Sequence, residues 1–187
     1  MEIKIIIGGF GGQGILFFGK TLAHAGMIED REVTWFPSYG AEVRGGTANC
    51  TVILSDALIG SPVVTCPDIL IVMNNASKNR FLPQLKKNGF FLFDSSLIRE
   101  HISRNDIDIA GIPATDIANR IGHTKSANMV MLGGFIAKTG SVHRESAFQA
   151  VESLMQGKKK SLIEENQKAI LEGIRYIENT EGKDTGS

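Results

Sequence analysis

The sequence predicts an α/β protein with a Rossmann-like, three-layer fold, in which a mainly parallel sheet lies between layers of helices. Apolar runs of strand length alternate with segments of helical spacing up to about residue 113. This alternation is typical of βαβ units. A glycine-rich turn joins the first apolar run to the first helical segment, and the chain beyond residue 116 is largely helical. We therefore expect C-terminal helices as well, and an antiparallel excursion at the sheet edge.

The apolar pattern places the elements in order along a single domain at residues 1–179. The first strand is expected near Ile3–Ile7, and the helix after it begins at Ile15 and ends near Gly26. The alternating segment Thr47–Leu54 is expected to pair antiparallel with a return strand at 58–64. Residues 180–187 are polar and contain glycine, so we expect a disordered tail. Further strands are predicted at 33–36, 69–73, 90–93 and 107–112, a helix at 77–87 that is bent at Pro83, and later helices from 128, around 148–154 and around 163–177.

The glycine-rich turn at residues 8–14 reads Gly-Gly-Phe-Gly-Gly-Gln-Gly. Gly9, Gly11 and Gly14 match the spacing G-x-G-x-x-G, which binds the pyrophosphate of dinucleotides when it lies between a strand and a helix. Glycine has no Cβ, so the backbone can approach a ligand closely. The unpaired N–H groups and the dipole of the following helix also favour phosphate. We therefore predict that this turn binds a phosphate-bearing ligand.

The second strand lacks the acidic residue that a nicotinamide-binding unit carries at this point. This strand ends in Phe36 and Pro37, and the nearby acidic residues Glu29, Asp30 and Glu32 precede it. Ordinary NAD binding therefore loses much of its support.

The segment 37–47, Pro-Ser-Tyr-Gly-Ala-Glu-Val-Arg-Gly-Gly-Thr, leaves the carboxyl end of a strand, where open α/β sheets bind ligands. Arg44 can donate two parallel hydrogen bonds to a phosphate or a carboxylate. The alternative is an ordinary surface loop in which Glu42 and Arg44 are solvated. Asn74-Asn75 and Asp94-Ser95-Ser96 are expected at the same sheet edge. The candidate ligand-binding residues are Gly9, Gly11, Gly12, Gln13, Gly14, Ser38, Tyr39, Glu42, Arg44, Gly45, Gly46 and Thr47.

The composition and the residue spacing argue against several classes of protein. Twenty basic and twenty acidic residues cancel, which gives no support for nucleic-acid or membrane binding. No apolar run has the length of a membrane span and the N-terminus lacks a signal-peptide pattern, so we expect a cytoplasmic protein. Two cysteines, Cys50 and Cys66, are expected to be buried, and they cannot supply the four ligands of an iron–sulfur cluster. No metal-ligand spacing, catalytic triad or P-loop lysine is found, so catalytic residues remain unassigned.

Two sequence blocks carry a resemblance to a known family. Gly-Phe-Gly-Gly-Gln-Gly at 9–14 and Pro-Ser-Tyr-Gly-Ala-Glu-Val-Arg-Gly-Gly-Thr-Ala-Asn-Cys at 37–50 resemble the gamma subunit of 2-oxoacid:ferredoxin oxidoreductases. The second block is closer to the 2-oxoglutarate and 2-ketoisovalerate members than to the pyruvate members. The similarity extends from Met1 to about Gly140, and the C-terminal helices also suit this family.

The resemblance implies a subunit of a multisubunit oxidoreductase. Such complexes oxidatively decarboxylate a 2-oxoacid to an acyl-CoA and reduce ferredoxin. For this chain, 2-oxoglutarate is the 2-oxoacid that the resemblance favours. They use thiamine diphosphate, iron–sulfur clusters and coenzyme A, which other subunits mainly hold. The implied partners are alpha, beta and ferredoxin-like delta subunits, with ferredoxin as the electron acceptor and a homodimer contact left open. This chain would pack on the catalytic subunits and help to form the coenzyme A side, as a non-catalytic or partly catalytic subunit that is inactive when isolated.

Two other readings of the residues stay open. One is a free-standing Rossmann-like module that binds a nucleotide, which the glycine turn favours and the missing acid disfavours. The other is a purely structural subunit, whose glycines only permit close packing against a partner.

Overall fold

A six-stranded sheet with helices on both faces forms the centre of the protein, and the computed structural model describes residues 1–38 and 47–184. The strands lie in the order β2-β3-β1-β4-β5-β6. The strands are β1 (Glu2–Phe10), β2 (Glu32–Ser38), β3 (Thr47–Ser55), β4 (Ile69–Val72), β5 (Phe90–Asp94) and β6 (Asp108–Ile112). The helices are α1 (Ile15–Ile28), α2 (Asn75–Phe81), α3 (Ala114–Arg120), α4 (Ala127–Thr139), α5 (Arg144–Leu154) and α6 (Lys160–Asp184).

The strand directions place the carboxyl ends of all strands except β3 at one edge of the sheet. Strands β1, β4, β5 and β6 are parallel, whereas β3 runs antiparallel to both β1 and β2. The carboxyl ends of the parallel strands and of β2 therefore lie at the same edge as the beginning of β3. The predicted α/β class, with a mainly parallel sheet and antiparallel strands on one side, is confirmed.

The partner of the antiparallel strand differs from the prediction. We expected β3 to pair with a return strand at 58–64, but that segment forms no strand and β3 pairs with β2 instead. The inserted β3 therefore separates β2 from β1, and β2 becomes the outer strand. This pairing buries Cys50, Val52 and Leu54 of β3 beneath α1.

Alternate residues of β1 point to two different cores. Ile5 and Ile7 belong to the larger core, which α1, α4, α5 and α6 complete on one face of the sheet. Ile6 belongs to a smaller core on the other face, which includes Phe81 of α2. Strand β4 is buried along its whole length, as its continuous apolar run predicts.

Helices α4 and α6 approach closely because each has a glycine at the contact. A Cβ on Gly133 would overlap the carbonyl oxygen of Ile170, and a Cβ on Gly173 would overlap the carbonyl oxygen of Val130. The two backbones therefore touch without intervening side chains.

Three predicted helix features can be compared with the structure. Helix α2 ends at Phe81 and continues as a 3-10 turn at Leu82–Gln84, which agrees with the predicted bend at Pro83. Gly140 ends α4 in the left-handed conformation, with φ 58°. Helix α6 continues to Asp184, so residues 180–184 of the segment that was expected to be a disordered tail are helical. Residues 185–187 lie outside the described residues, and their disorder remains a prediction.

The two cysteines lie in opposite environments. Cys50 is completely buried, as expected, and burial raises the pKa of its thiol from 9.0 to about 12. The expectation that Cys66 is buried is wrong, because this residue lies in the segment between β3 and β4 and is exposed. The apolar residues beside Cys66 in the sequence do not form the strand that would have covered it.

A difference in thiol reactivity follows from these environments. With a thiol-disulfide reagent at pH 8, we expect fast labelling of Cys66 and no labelling of Cys50 until the protein unfolds, since the thiolate is the reactive form. Because the folded state keeps the Cys50 proton above pH 9.0, where an unfolded chain loses it, this group favours unfolding as the pH rises from about 9 to 12. Rapid labelling of Cys50 in the native protein, read by mass spectrometry, would contradict this prediction.

Candidate functional site

The glycine turn lies where helices leave the sheet in opposite directions. Strand β1 continues into α1 on one face, and its neighbour β4 continues into α2 on the other face. Such a switch point opens a crevice at the carboxyl ends of the two strands, and open α/β sheets bind ligands in this crevice.

Two glycines of the turn have backbone conformations that side chains rarely adopt. Gly12 has φ 94°, and Gly14, the residue that caps the beginning of α1, has φ 73°. Gly11 and Gly12 are exposed, and a Cβ on Gly12 would meet no atom within 4 Å. The outer surface of the turn is therefore bare backbone that a ligand can reach.

The inner side of the turn is fixed by Gln13. Its Oε1 accepts a hydrogen bond from the N–H of Phe10 at 2.6 Å, and its Nε2 donates to the carbonyl of Met73 at 3.0 Å. Gly9 is also enclosed, because a Cβ there would lie 2.5 Å from Cδ1 of Ile15. The Gln13 side chain thus ties the ends of β1 and β4 together, and its amide points into the protein.

The first turn of α1 presents unpaired donors. No side chain caps this helix, and its first turn contains no acidic residue. Within residues 1–38 and 47–184, the N–H groups of Gly11, Gly12 and the first turn at 15–17 donate to no acceptor. A phosphate or carboxylate can satisfy these donors and interact favourably with the positive end of the helix dipole.

A cavity of about 380 Å³ lies beside these donors. Its walls are mostly apolar, and they come from the turn, from the first turn of α1 and from the adjoining ends of β2 and β3. The cavity is lined by Phe10, Gly11, Gly12, Gly14, Ile15, Leu16, Phe17, Ser38 and Ala48. The site can therefore hold a molecule that carries both an anionic group and an apolar group.

The structure brings part of the predicted site together. Ser38, at the end of β2, lines the cavity together with the glycines of the turn. Thr47 begins β3 with its backbone opposite Phe10 of β1. The remaining predicted residues, Tyr39, Glu42, Arg44, Gly45 and Gly46, lie outside the described residues.

The polar residues after β4 and β5 have structural roles. Oδ1 of Asn74 accepts from the N–H of Ser77 at 2.7 Å and caps α2. The buried carboxylate of Asp94 accepts from the N–H groups of Ser96 and Ala114 at 3.0 and 3.1 Å, and from the N–H and hydroxyl of Thr115. Asp94 lies at the sheet edge where it was expected, but these internal donors occupy its carboxylate.

The strand order explains why the second strand lacks a ribose-binding acid. In a dinucleotide unit, that acid ends the parallel strand next to the first strand. Here the neighbour of β1 on that side is the antiparallel β3, and β2 lies one strand farther away. The sheet therefore differs from a nicotinamide-binding unit at the strand whose end binds the ribose in such a unit.

Sequence reasoning missed Asn128 of α4. This residue is 3% exposed, and its Nδ2 donates to the carbonyl oxygen of Gly14 at 3.0 Å. A single amide in an otherwise apolar helix face was the available indication, but the sequence does not show which distant carbonyl it contacts.

Among the described residues, no helix is long and apolar enough to cross a membrane. No group of three or more His, Cys, Asp or Glu side chains in the described ranges could hold a metal ion.

Comparison with known proteins gives a consistent result. Residues 4–176 match the family described as "Pyruvate ferredoxin/flavodoxin oxidoreductase". The chain is 38% identical over 97% of its length to ketoisovalerate oxidoreductase subunit VorA of Methanothermobacter thermautotrophicus. It is 34% identical over 92% of its length to 2-oxoglutarate synthase subunit KorC of the same organism. A solved gamma subunit of a keto/oxoacid ferredoxin oxidoreductase from Geobacter sulfurreducens superposes with a TM-score of 0.81, at 29% identity over 94% of this chain and 95% of that chain.

The lengths of these relatives differ. The chain spans 38% of the length of the ketoisovalerate oxidoreductase subunit, but 97% of the length of the 2-oxoglutarate synthase subunit.

Proposed function

Because the chain belongs to the pyruvate ferredoxin/flavodoxin oxidoreductase family, we propose that it serves as the gamma subunit of a 2-oxoacid:ferredoxin oxidoreductase complex and helps to form the coenzyme A side of that complex. The resemblance of residues 9–14 and 37–50 to gamma subunits is confirmed by the family match and by the superposition on a solved gamma subunit.

The proposed reaction of the complex converts a 2-oxoacid and coenzyme A into an acyl-CoA and carbon dioxide, with two electrons passed to ferredoxin. We propose 2-oxoglutarate as the substrate, and 2-ketoisovalerate as the second candidate. Relatives with both substrate names support this pair, since they are 34% and 38% identical to this chain.

The observation that carries the coenzyme A proposal is the position of unpaired backbone donors beside an apolar cavity. The donors at Gly11, Gly12 and the first turn of α1 suit a phosphate group, and no carboxylate in that turn opposes it. Leu16 and Phe17 form an apolar wall next to these donors. Coenzyme A combines phosphates with less polar portions, so it can contact both the backbone donors and the apolar wall.

The rest of the chemistry belongs to other chains in this proposal. Thiamine diphosphate and the iron–sulfur clusters would be held by alpha, beta and ferredoxin-like delta subunits. Of the two cysteines in this chain, the buried Cys50 is fully enclosed and hydrogen-bonds the carbonyl of Ile15 at 3.6 Å, so the described residues do not fit a cluster. The chain would contribute binding surface and orientation, without a catalytic residue of its own.

An assay of the native complex tests this function. The tagged chain is expressed in its own cells, the complex is purified, and its other subunits are identified by mass spectrometry. We expect coenzyme A-dependent reduction of ferredoxin with 2-oxoglutarate, and slower reduction with 2-ketoisovalerate or pyruvate. Faster reduction with 2-ketoisovalerate or pyruvate would assign a different substrate. If none of the three 2-oxoacids supports reduction of ferredoxin, the proposed reaction is refuted.

A purely structural role is the second candidate, and the enclosed position of Gly9 favours it. A structure of the complex with coenzyme A distant from the glycine turn would leave only this role. Tight binding of NAD by the isolated chain, measured by calorimetry, would support a free-standing nucleotide-binding module instead.

A further inference from the structure

Asn128 is a buried amide with one satisfied and one unsatisfied end. Its Nδ2 donates to the carbonyl oxygen of Gly14 at 3.0 Å. Its Oδ1 is buried and has no hydrogen-bond partner within the described part of the chain. An unpartnered acceptor in a core is unfavourable, so a residue of this kind calls for an explanation beyond packing.

The surroundings of Asn128 favour an apolar residue at this position. Met131 and Leu132, which lie one helical turn after Asn128 on the same face of α4, are completely buried. Leucine has the same number of side-chain heavy atoms and the same branching as asparagine, and it would leave no unsatisfied acceptor. The only polar contact of the Asn128 side chain in the described structure is with Gly14, so the contact with the glycine turn is the feature that an apolar residue would lose.

The contact acts on the residue that sets the direction of α1. The carbonyl oxygen of Gly14 accepts from Asn128 and also from the N–H of Phe18 at 2.9 Å. Gly14 has left-handed backbone angles, φ 73° and ψ 23°, and a Cβ on it would overlap the Asn128 amide. The amide therefore packs against Gly14 and fixes its carbonyl, and these two contacts restrain the peptide that follows.

We propose that Asn128 is a positioning residue for the glycine turn: by holding Gly14, it orients the N–H groups of the first turn of α1 toward a bound phosphate. The identity of that phosphate as part of coenzyme A rests on the proposed function above. Asn128 acts through Gly14 and does not need to touch the ligand. Preorganised donors bind more tightly because the ligand does not have to order them.

The test replaces Asn128 by leucine in the intact complex. We expect the KM for coenzyme A to rise about tenfold, the size of effect that the loss of one hydrogen bond to a preorganised site produces, while kcat at saturating coenzyme A changes less than twofold. If Asn128→Leu does not assemble, Asn128→Ala, which removes the donor without adding a charge, takes its place. An unchanged KM in the assembled variant, together with unchanged amide exchange in α1, would overturn the proposal.

Thr139→Val is the matched control, because Thr139 lies at the other end of α4 and its hydroxyl donates to the carbonyl of Phe135 at 2.8 Å. This variant loses that bond and also the bond that the Thr139 hydroxyl accepts from the N–H of Ser141 at 3.2 Å, so it disturbs α4 at least as much. We expect its KM for coenzyme A to match the wild type. A rise equal to that of Asn128→Leu would assign the effect to helix stability and overturn the positioning role.

Amide hydrogen exchange separates this inference from the proposed function. In the ligand-free complex, Asn128→Leu is expected to accelerate exchange at residues 18–21, whose N–H groups are hydrogen-bonded within α1, at least fivefold and to leave β5 unchanged. Accelerated exchange supports the positioning role even if the wild-type complex binds no coenzyme A at the turn, a result that would refute the proposed function alone. Wild-type exchange rates at residues 18–21 would overturn the positioning role, whatever the ligand.

Discussion

Replacing Gly133 by alanine is expected to lower the free energy of unfolding by about 3 kcal/mol or more. The new methyl group would overlap the carbonyl oxygen of Ile170, which is backbone of α6 and cannot rotate away. Alanine favours helix over glycine by about 1 kcal/mol, which offsets only part of this cost. Urea denaturation of the isolated chain measures the change, provided that the slope m is the same for both proteins.

Gly60→Ala is the control for this substitution. Gly60 lies in the exposed segment between β3 and β4, and a Cβ on it would meet no atom within 4 Å. We expect its stability to remain within about 0.5 kcal/mol of the wild type. A loss below about 1 kcal/mol for Gly133→Ala would show that α4 and α6 can separate easily, contrary to the packing described above.

Gly12→Asp is expected to raise the KM of the complex for coenzyme A at least tenfold relative to Gly12→Asn. The two side chains have the same shape and nearly the same strain at φ 94°, so their difference reports charge alone. At an effective dielectric constant of about 20, two unit charges about 6 Å apart interact by roughly 3 kcal/mol, and solvent reduces this at an exposed site. A tenfold change corresponds to about 1.4 kcal/mol.

The salt dependence of the same pair provides a second measurement. The difference in KM between Gly12→Asp and Gly12→Asn should shrink as the ionic strength rises, because salt screens exposed charges. Equal KM values for the two variants would show that no phosphate binds near Gly12, and the coenzyme A proposal would then fail at this turn.

Local patterns in the sequence are sufficient to predict most of the individual strands and helices. The buried strand β4 follows from its continuous apolar run, and the turn at 8–14 follows from its glycines between a strand and a helix. The pairing of strands does not follow in the same way. Whether β3 pairs with β2 or with a return strand at 58–64 depends on contacts between distant residues, and alternating apolar residues fit both arrangements.

The candidate site is predictable to a similar extent. The position of the glycines and Ser38 at one cavity can be predicted from the sequence, because both follow predicted strands that end at the same sheet edge. Asn128 cannot, since its function depends on a hydrogen bond to a residue 114 positions away. The predicted role of Arg44 depends on the segment outside the described residues and stays a prediction.

The contacts that complete the turn also have a consequence for the order of folding. Three hydrogen bonds join α1 and its surroundings to the second half of the chain: Asn128 to Gly14, Arg31 to the carbonyl of Ser141 at 2.9 Å, and the N–H of His143 to Glu29 at 2.6 Å. Each spans 110 or 114 residues. Contacts with such long sequence separation form slowly. A nascent chain that has emerged from the ribosome only as far as β6 therefore carries the whole glycine motif without its final geometry. If the turn binds a ligand as we propose, we expect this binding only after α4 has docked, late in the folding of the polypeptide.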